Sequence, residues 1–145
     1  MTNIVPLGEV AKVISGYAFK SSSFVSHGIP VIKIKNIRLG YIDLSDVQYI
    51  DENFRDIDEK YHVLPHDILI SLTGSHMTQP NSVVGRVAIQ SQRNQFCLLN
   101  QRAGKISIFD EKSCNKFYLF YMLTTNHKRV EIANMAHGAA SQANI

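Results

Sequence analysis

The stretch "DILISLTGSHMTQPNSVVGRVAI", residues 67–89, decides the fold. Residues 68–72 are apolar except for Ser71, which predicts a buried strand, and residues 83–89 predict a second. A tight hairpin needs only a two-residue turn. This chain places about eight small polar residues between the strands instead. Ser75, His76, Thr78, Gln79, Asn81 and Ser82 all donate or accept hydrogen bonds, and none is formally charged at neutral pH. Such a loop is either a solvated connection or a set of neutral hydrogen-bonding groups held toward a partner.

Outward from this hairpin, "CLLN" and "RAGKISIF" predict two more strands, and "LPHD" a turn into the strand at 68–72. "PLGEVAKVISG" opens at Pro6, which a first helical turn tolerates, and passes into a strand ending at Gly16. "GYAFKSSSF" reads as a loop in which Tyr17 and Phe19 either stack on bases beside Lys20 or, the commoner outcome for Phe19, anchor the loop to the core. In "IPVIKIKNI", Ile32 and Ile34 alternate with Lys33 and Lys35, predicting a half-buried strand that displays lysines. "VQYI" is a further strand candidate, and "DENFRDIDEKY" a short acidic helix or turn. "SCNKFYLFYML", residues 113–123, is apolar nearly all round and predicts a buried helix with its aromatics in the core. "HKRVEIANMA" predicts an amphipathic helix ending near Gly138, with no element left to dock the final "GAASQANI". The expected class is α+β, with helices gathered toward the C-terminal end.

The 145 residues suit one domain, expected over 1–145, and the 45% hydrophobic and 19% charged fractions exclude a disordered chain. No apolar run reaches the ~20 residues of a membrane span. The start lacks a signal peptide, and Cys97 and Cys114 are too far apart in sequence to form a metal-type pair, so a cytoplasmic setting is expected. The net charge of +3 is unevenly spread. No acid lies between Glu9 and Asp43, where Lys12, Lys20, Lys33, Lys35 and Arg38 fall. Residues 43–67 then carry eight of the twelve acids, and residues 68–109 carry none. Acid-free basic surface is the footprint of a polyanion partner.

Catalytic and metal motifs fail on inspection. Asp46 with Asp58, Glu59 and Lys60 mimics a nuclease spacing but lacks strand alternation. His62 and His66 have zinc spacing, yet Pro65 between them breaks the helix such a pair needs. No glycine-rich phosphate loop is present, so neither metal nor cofactor is expected. The rivals are then a nuclease-like enzyme, a protein-interaction module using the 127–136 helix, and a DNA reader.

The ordered pieces "LGEVAKVISGYAFKSSSF", "GIPVIKIKNI", "DILISLTGS", "VGRVAI", "LLNQRAGKI" and "HGAASQANI" together resemble the target recognition domain of a type I restriction-modification specificity (S) subunit. The resemblance covers essentially the whole chain. It implies an α/β domain with a twisted, partly barrel-like sheet, followed by a spacer helix that would begin where this chain ends. It also implies a non-catalytic component that reads one half of a two-part sequence in double-stranded DNA. Methylation (M) and restriction (R) subunits then methylate adenine or cleave, and a second recognition domain or a homodimer supplies the other half. A recognition domain of a single-chain restriction-methylation enzyme is a near variant. Neutral polar groups suit base edges and basic groups suit phosphates. The candidates for base readout are therefore Ser75, His76, Thr78, Gln79, Asn81, Asn100 and Gln101. The candidate phosphate contacts are Lys20, Lys33, Lys35, Arg38, Arg86 and Arg102.

Overall fold

The computed structural model describes residues 4–74 and 84–135, and the backbone of residues 137–139 and 142–144. Its strands are β1 (Ala11–Ser15), β2 (Phe24–Val25), β3 (Ile29–Ile32), β4 (Gly40–Tyr41), β5 (Gln48–Ile50), β6 (His62–Val63) and β7 (Ile68–Ser71). They continue as β8 (Thr73–Gly74), β9 (Val87–Ile89), β10 (Cys97–Leu99), β11 (Ala103–Ile108), β12 (His137–Ala139) and β13 (Gln142–Asn144). Two helices, α1 (Lys116–Leu123) and α2 (Asn126–Asn134), precede the last two strands. The strands form two mixed five-stranded sheets, ordered β1-β11-β7-β9-β4 and β2-β5-β3-β10-β6, and a small sheet β12-β13-β8. The class is α+β as expected. The sheets are not closed into a barrel, which corrects that part of the expectation.

Layering explains the sequence pattern. One apolar cluster joins Ile32, Val63, Cys97 and Leu99 of the second sheet to Leu69, Ala88 and Ala103 of the first. A second cluster covers the first sheet's other face, where Ile68, Ile70, Val87 and Ile106 meet Leu119, Phe120 and Leu123 of α1. The first sheet is thus buried on both faces, which is why β7 reads as a continuous apolar run. A third cluster, Ile29, Val31, Ile50 and Leu98, is covered by Phe19, Phe24, Phe54, Ile57 and Phe96 from the surrounding turns. Phe19 therefore pins its loop, with ring contacts to Tyr17 at 4.9 Å and Phe54 at 5.6 Å.

Four expectations fail here. The alternating "IPVIKIKNI" is not one strand: β3 stops at Ile32, all four of its residues are buried, and 34–36 is a 3-10 turn. Asn36 causes the break, because its Oδ1 accepts from the Lys33 backbone N–H at 2.9 Å and offers the chain an alternative to the ladder. The helix at 113–123 is shorter and only one-sided. Asn115 caps it by accepting from Tyr118 N, and only Leu119, Phe120 and Leu123 are buried. Phe117, Tyr118 and Tyr121 stand 45%, 65% and 67% exposed, so of the aromatics expected in the core only Phe120 is there. Finally, α2 ends at Asn134, and the tail does find a dock: β12 pairs with β13, and β13 with β8.

Candidate nucleic-acid interface

Strand β7 ends at Ser71, four residues before Ser75, where the polar loop begins. Leu72 N donates to Arg102 O at 3.0 Å, so one side of the loop's root adjoins the turn before β11. On the other side Gly85 N donates to Ser71 O at 2.9 Å, and Ser71 N to Arg86 O at 3.0 Å. Arg86 N donates in turn to Ser71 Oγ at 3.1 Å. Thr73 and Gly74 pair with Asn144 and Ala143 of the tail. The root is therefore held on three sides by backbone hydrogen bonds, between Arg102 and Arg86. Ser75, His76, Thr78, Gln79 and Asn81 lie outside the described residues.

The second polar cluster meets the same rim. Asn100 N donates to Ile32 O at 3.0 Å and Ala103 N to Asn100 O at 3.0 Å, closing a turn that exposes Gln101 and Arg102 and leaves Asn100 half-buried. Tyr17 N reaches Leu99 O at 2.8 Å. Only glycine fits just before it: a Cβ on Gly16 would lie 2.2 Å from Asn100 O. The strand-breaking Gly16 is thus what joins the first loop to the 100–102 turn. Lys20 is exposed nearby in sequence, its carbonyl accepting from Ser23 N at 2.9 Å.

The remaining basic candidates are less free than the sequence implies. Lys33 is not displayed from a strand face. Its Nζ donates to Gln48 Oε1 and sits 4.1 Å from the Phe24 ring centroid, and burial, followed by the charge of Lys35, lowers its pKa. Lys35 is paired with Asp46 at 3.1 Å, and Arg38 with Asp43 at 3.7 Å. The acidic block thus folds back on the basic one, through a buried Asn36 that donates to Asp43 O and Asp46 O. Hydrogen bonds from the Ser45 side chain and backbone, and more weakly Arg38, hold the Asp43 carboxyl below its usual range. Exposed pairs of this kind contribute about 0–1 kcal/mol, so exchanging a carboxylate for a phosphate costs little. Arg86 is half-buried, and burial, then Arg38 and Arg129, lowers its pKa.

Sequence reasoning missed Tyr41 and Arg129. They line a cleft of about 400 Å³ with Leu39, Val87, Phe120 and Tyr121. The signal available for Arg129 was its exposed place beside Lys128 on a largely polar helix, which alone names no ligand.

The acids of the nuclease-like spacing have structural work. Asp46 pairs with Lys35, and the Asp58 carboxylate accepts from Lys60 N at 3.0 Å as a turn cap. His62 Nε2 lies 3.2 Å from Arg55 O and 3.1 Å from Ile57 O, whereas His66 packs against Phe117. No group of three or more His, Cys, Asp or Glu able to hold a metal occurs among the described residues. Nor does any helix there have the length and apolarity to cross a membrane.

Residues 2–145 match the family described as Type I restriction modification DNA specificity domain. The chain is 26% identical over 138 residues to the type I restriction enzyme MjaVIII specificity subunit of Methanocaldococcus jannaschii, covering 93% of this chain and 31% of that one. It is 32% identical over 117 residues to the EcoAI specificity subunit of Escherichia coli, covering 80% and 19%. The fold is similar to that of the S subunit of a type I restriction-modification system from M. genitalium, with a TM-score of 0.59, 15% identity, and 96% and 29% of the two chains covered. It is equally similar to the HsdS subunit of Thermoanaerobacter tengcongensis, with a TM-score of 0.60, 22% identity, and 97% and 32% covered. The chain spans less than a third of the length of each of these relatives. A family match over nearly every residue, with these folds behind it, makes the chain a member of the type I restriction modification DNA specificity domains.

Proposed function

We propose that this domain reads one half of a bipartite sequence in double-stranded DNA and so directs adenine methylation and restriction carried out by M and R subunits. It performs no chemistry itself. The observation that carries the reading is convergence: the root of the 75–83 loop, the Asn100, Gln101 and Arg102 turn, Arg86 and Arg38 share one rim of the first sheet. In this reading Ser75, His76, Thr78, Gln79 and Asn81, with Asn100 and Gln101, contact base edges, where neutral amides and hydroxyls match the donor and acceptor pattern. Lys20, Lys33, Lys35, Arg38, Arg86 and Arg102 contact phosphates, which fix register without reading sequence. A second recognition domain, on the same chain or a partner's, reads the other half-site. The setting is cytoplasmic, where Cys97 and Cys114 stay as the free thiols of the fold.

Selection of bound fragments from a random duplex pool tests this directly. A recovered consensus of one short half-site is expected; an unenriched pool at low salt refutes sequence reading. The exposed aromatics of α1 favour a second reading, a protein-interaction module, and a complete lack of DNA binding at low salt would support it.

A further inference from the structure

Arg86 carries a donor with nowhere to go. Its Nε is buried and has no hydrogen-bond partner among the described residues. An orphaned buried donor is costly, and more so when it is charged. Its neighbours aggravate this. Gly85, at φ +76, lies beneath α2, with Ile132 Cγ2 only 3.1 Å from where a Cβ would stand. That contact brings the start of β9 against the helix that bears Arg129. The 38–41 turn, closed by Arg38 N donating to Tyr41 O at 2.9 Å, adjoins the same strand through the pairing of Tyr41 with Ile89. Arg129 and Tyr41 line one cleft. Arg38 and Arg129 both act on the Arg86 charge, and of the three only Arg38 has a carboxylate, Asp43, within ion-pair distance among the described residues. Like charges that act on one another in this way repel until an oxyanion joins them.

We propose that Arg129 joins Arg38 and Arg86 in one oxyanion clamp, which grips a backbone phosphate of DNA beside Ser71. This rests on the DNA-reading function above. Phosphate suits the site because its oxygens accept several charge-assisted bonds at once, and the guanidinium fork matches that geometry. The position suits it as well, since Arg86 is bonded through its backbone to Ser71 at the loop's root.

The test has two arms on the full chain. Inorganic phosphate is titrated at constant ionic strength while the arginine side-chain Nε–Hε NMR signals are followed. The Arg86 signal should move, and the response should be lost in Arg129→Gln, an exposed position whose replacement spares the fold. In the second arm, Arg38→Gln with Arg129→Gln should flatten the dependence of log affinity on log salt by about 0.9, one released phosphate. Preferred and random duplexes should weaken by the same factor. A phosphate response without any DNA binding keeps the clamp as a free-phosphate site and refutes the DNA reading instead. DNA binding with an unchanged slope, or a response to polyglutamate but not to phosphate, overturns the proposal; the latter assigns the cluster to an acidic protein.

Discussion

Replacing Asn36 should unhinge the segment that carries Lys35 and Arg38. This side chain is 2% exposed and makes three hydrogen bonds to the main chain. Its Oδ1 accepts from Lys33 N at 2.9 Å, and its Nδ2 donates to Asp43 O at 3.0 Å and Asp46 O at 3.2 Å. At a net 0.5–1.5 kcal/mol each, Asn36→Ala should cost about 2–4 kcal/mol. Asn36→Asp tests the geometry more sharply. It keeps the acceptor but turns a second oxygen toward two carbonyls, which favours the protonated acid and raises its folded pKa above the unfolded value of about 3.9. The folded state then holds the proton more tightly. Stability is retained below pH ~4 and lost as pH rises through the folded pKa. Asn36→Asp should therefore be worse than Asn36→Ala at pH 7 and close to the parent near pH 3.5. Urea unfolding followed by circular dichroism measures both, the chain having no tryptophan to report by fluorescence. A cost below about 1 kcal/mol for Asn36→Ala, or a pH-independent deficit for Asn36→Asp, would refute this account.

Gln79→Ala or Asn81→Ala should cost roughly 1–3 kcal/mol on the preferred duplex and leave random duplex nearly unchanged, as filter binding on both would show; parallel losses on both would make the loop a connector. Gly16→Ala should strongly destabilise the domain, because the added Cβ meets two backbone carbonyls at 2.2 and 2.3 Å, and thermal unfolding reads the loss directly. The Cys97 thiol is pushed up to about 11 by burial, against a weaker opposing hydrogen bond from Gln90. Its neutral form is thus favoured in the fold, so this contribution is intact below the unfolded thiol pKa and fades as pH rises toward 11. Cys97→Ala should lose less stability than the parent over that alkaline range; identical slopes would contradict the burial.

The legible parts of the sequence were those where one physical signal dominates. Residues 68–72 could only be a buried strand, and Gly16 could only break one. Phe19 was readable as an anchor because its serine-rich surroundings offered the core nothing else. Lys33 and Lys35 misled because a period of two also arises where a strand buried on both faces runs into a turn, and a single Asn36 hydrogen bond decides between them. Phe117, Tyr118 and Tyr121 misled for a different reason: an apolar helix looks the same whether its second face meets core or solvent. The tail strands were invisible because small residues pair through backbone alone. At the site, Arg86 was named from charge, but Arg129 needed the packing of α2 over Gly85 to bring it near.

The pairing of β1 with β11 has a temporal consequence. Ala11 pairs with Ile108, so the first strand waits nearly a hundred residues for its neighbour. During synthesis at about 5–20 residues per second, that delay is on the order of 5–20 s. The second sheet waits for a shorter stretch of chain, because β3 is joined to β5 early but to β10 only at Leu98 and Leu99. Few native partners are local, so the nascent chain gains little by folding piecemeal. Translation of this domain should leave β1 unpaired, and β7 without its β11 neighbour, until the ribosome has passed residue 108, a window in which chaperone occupancy should be highest.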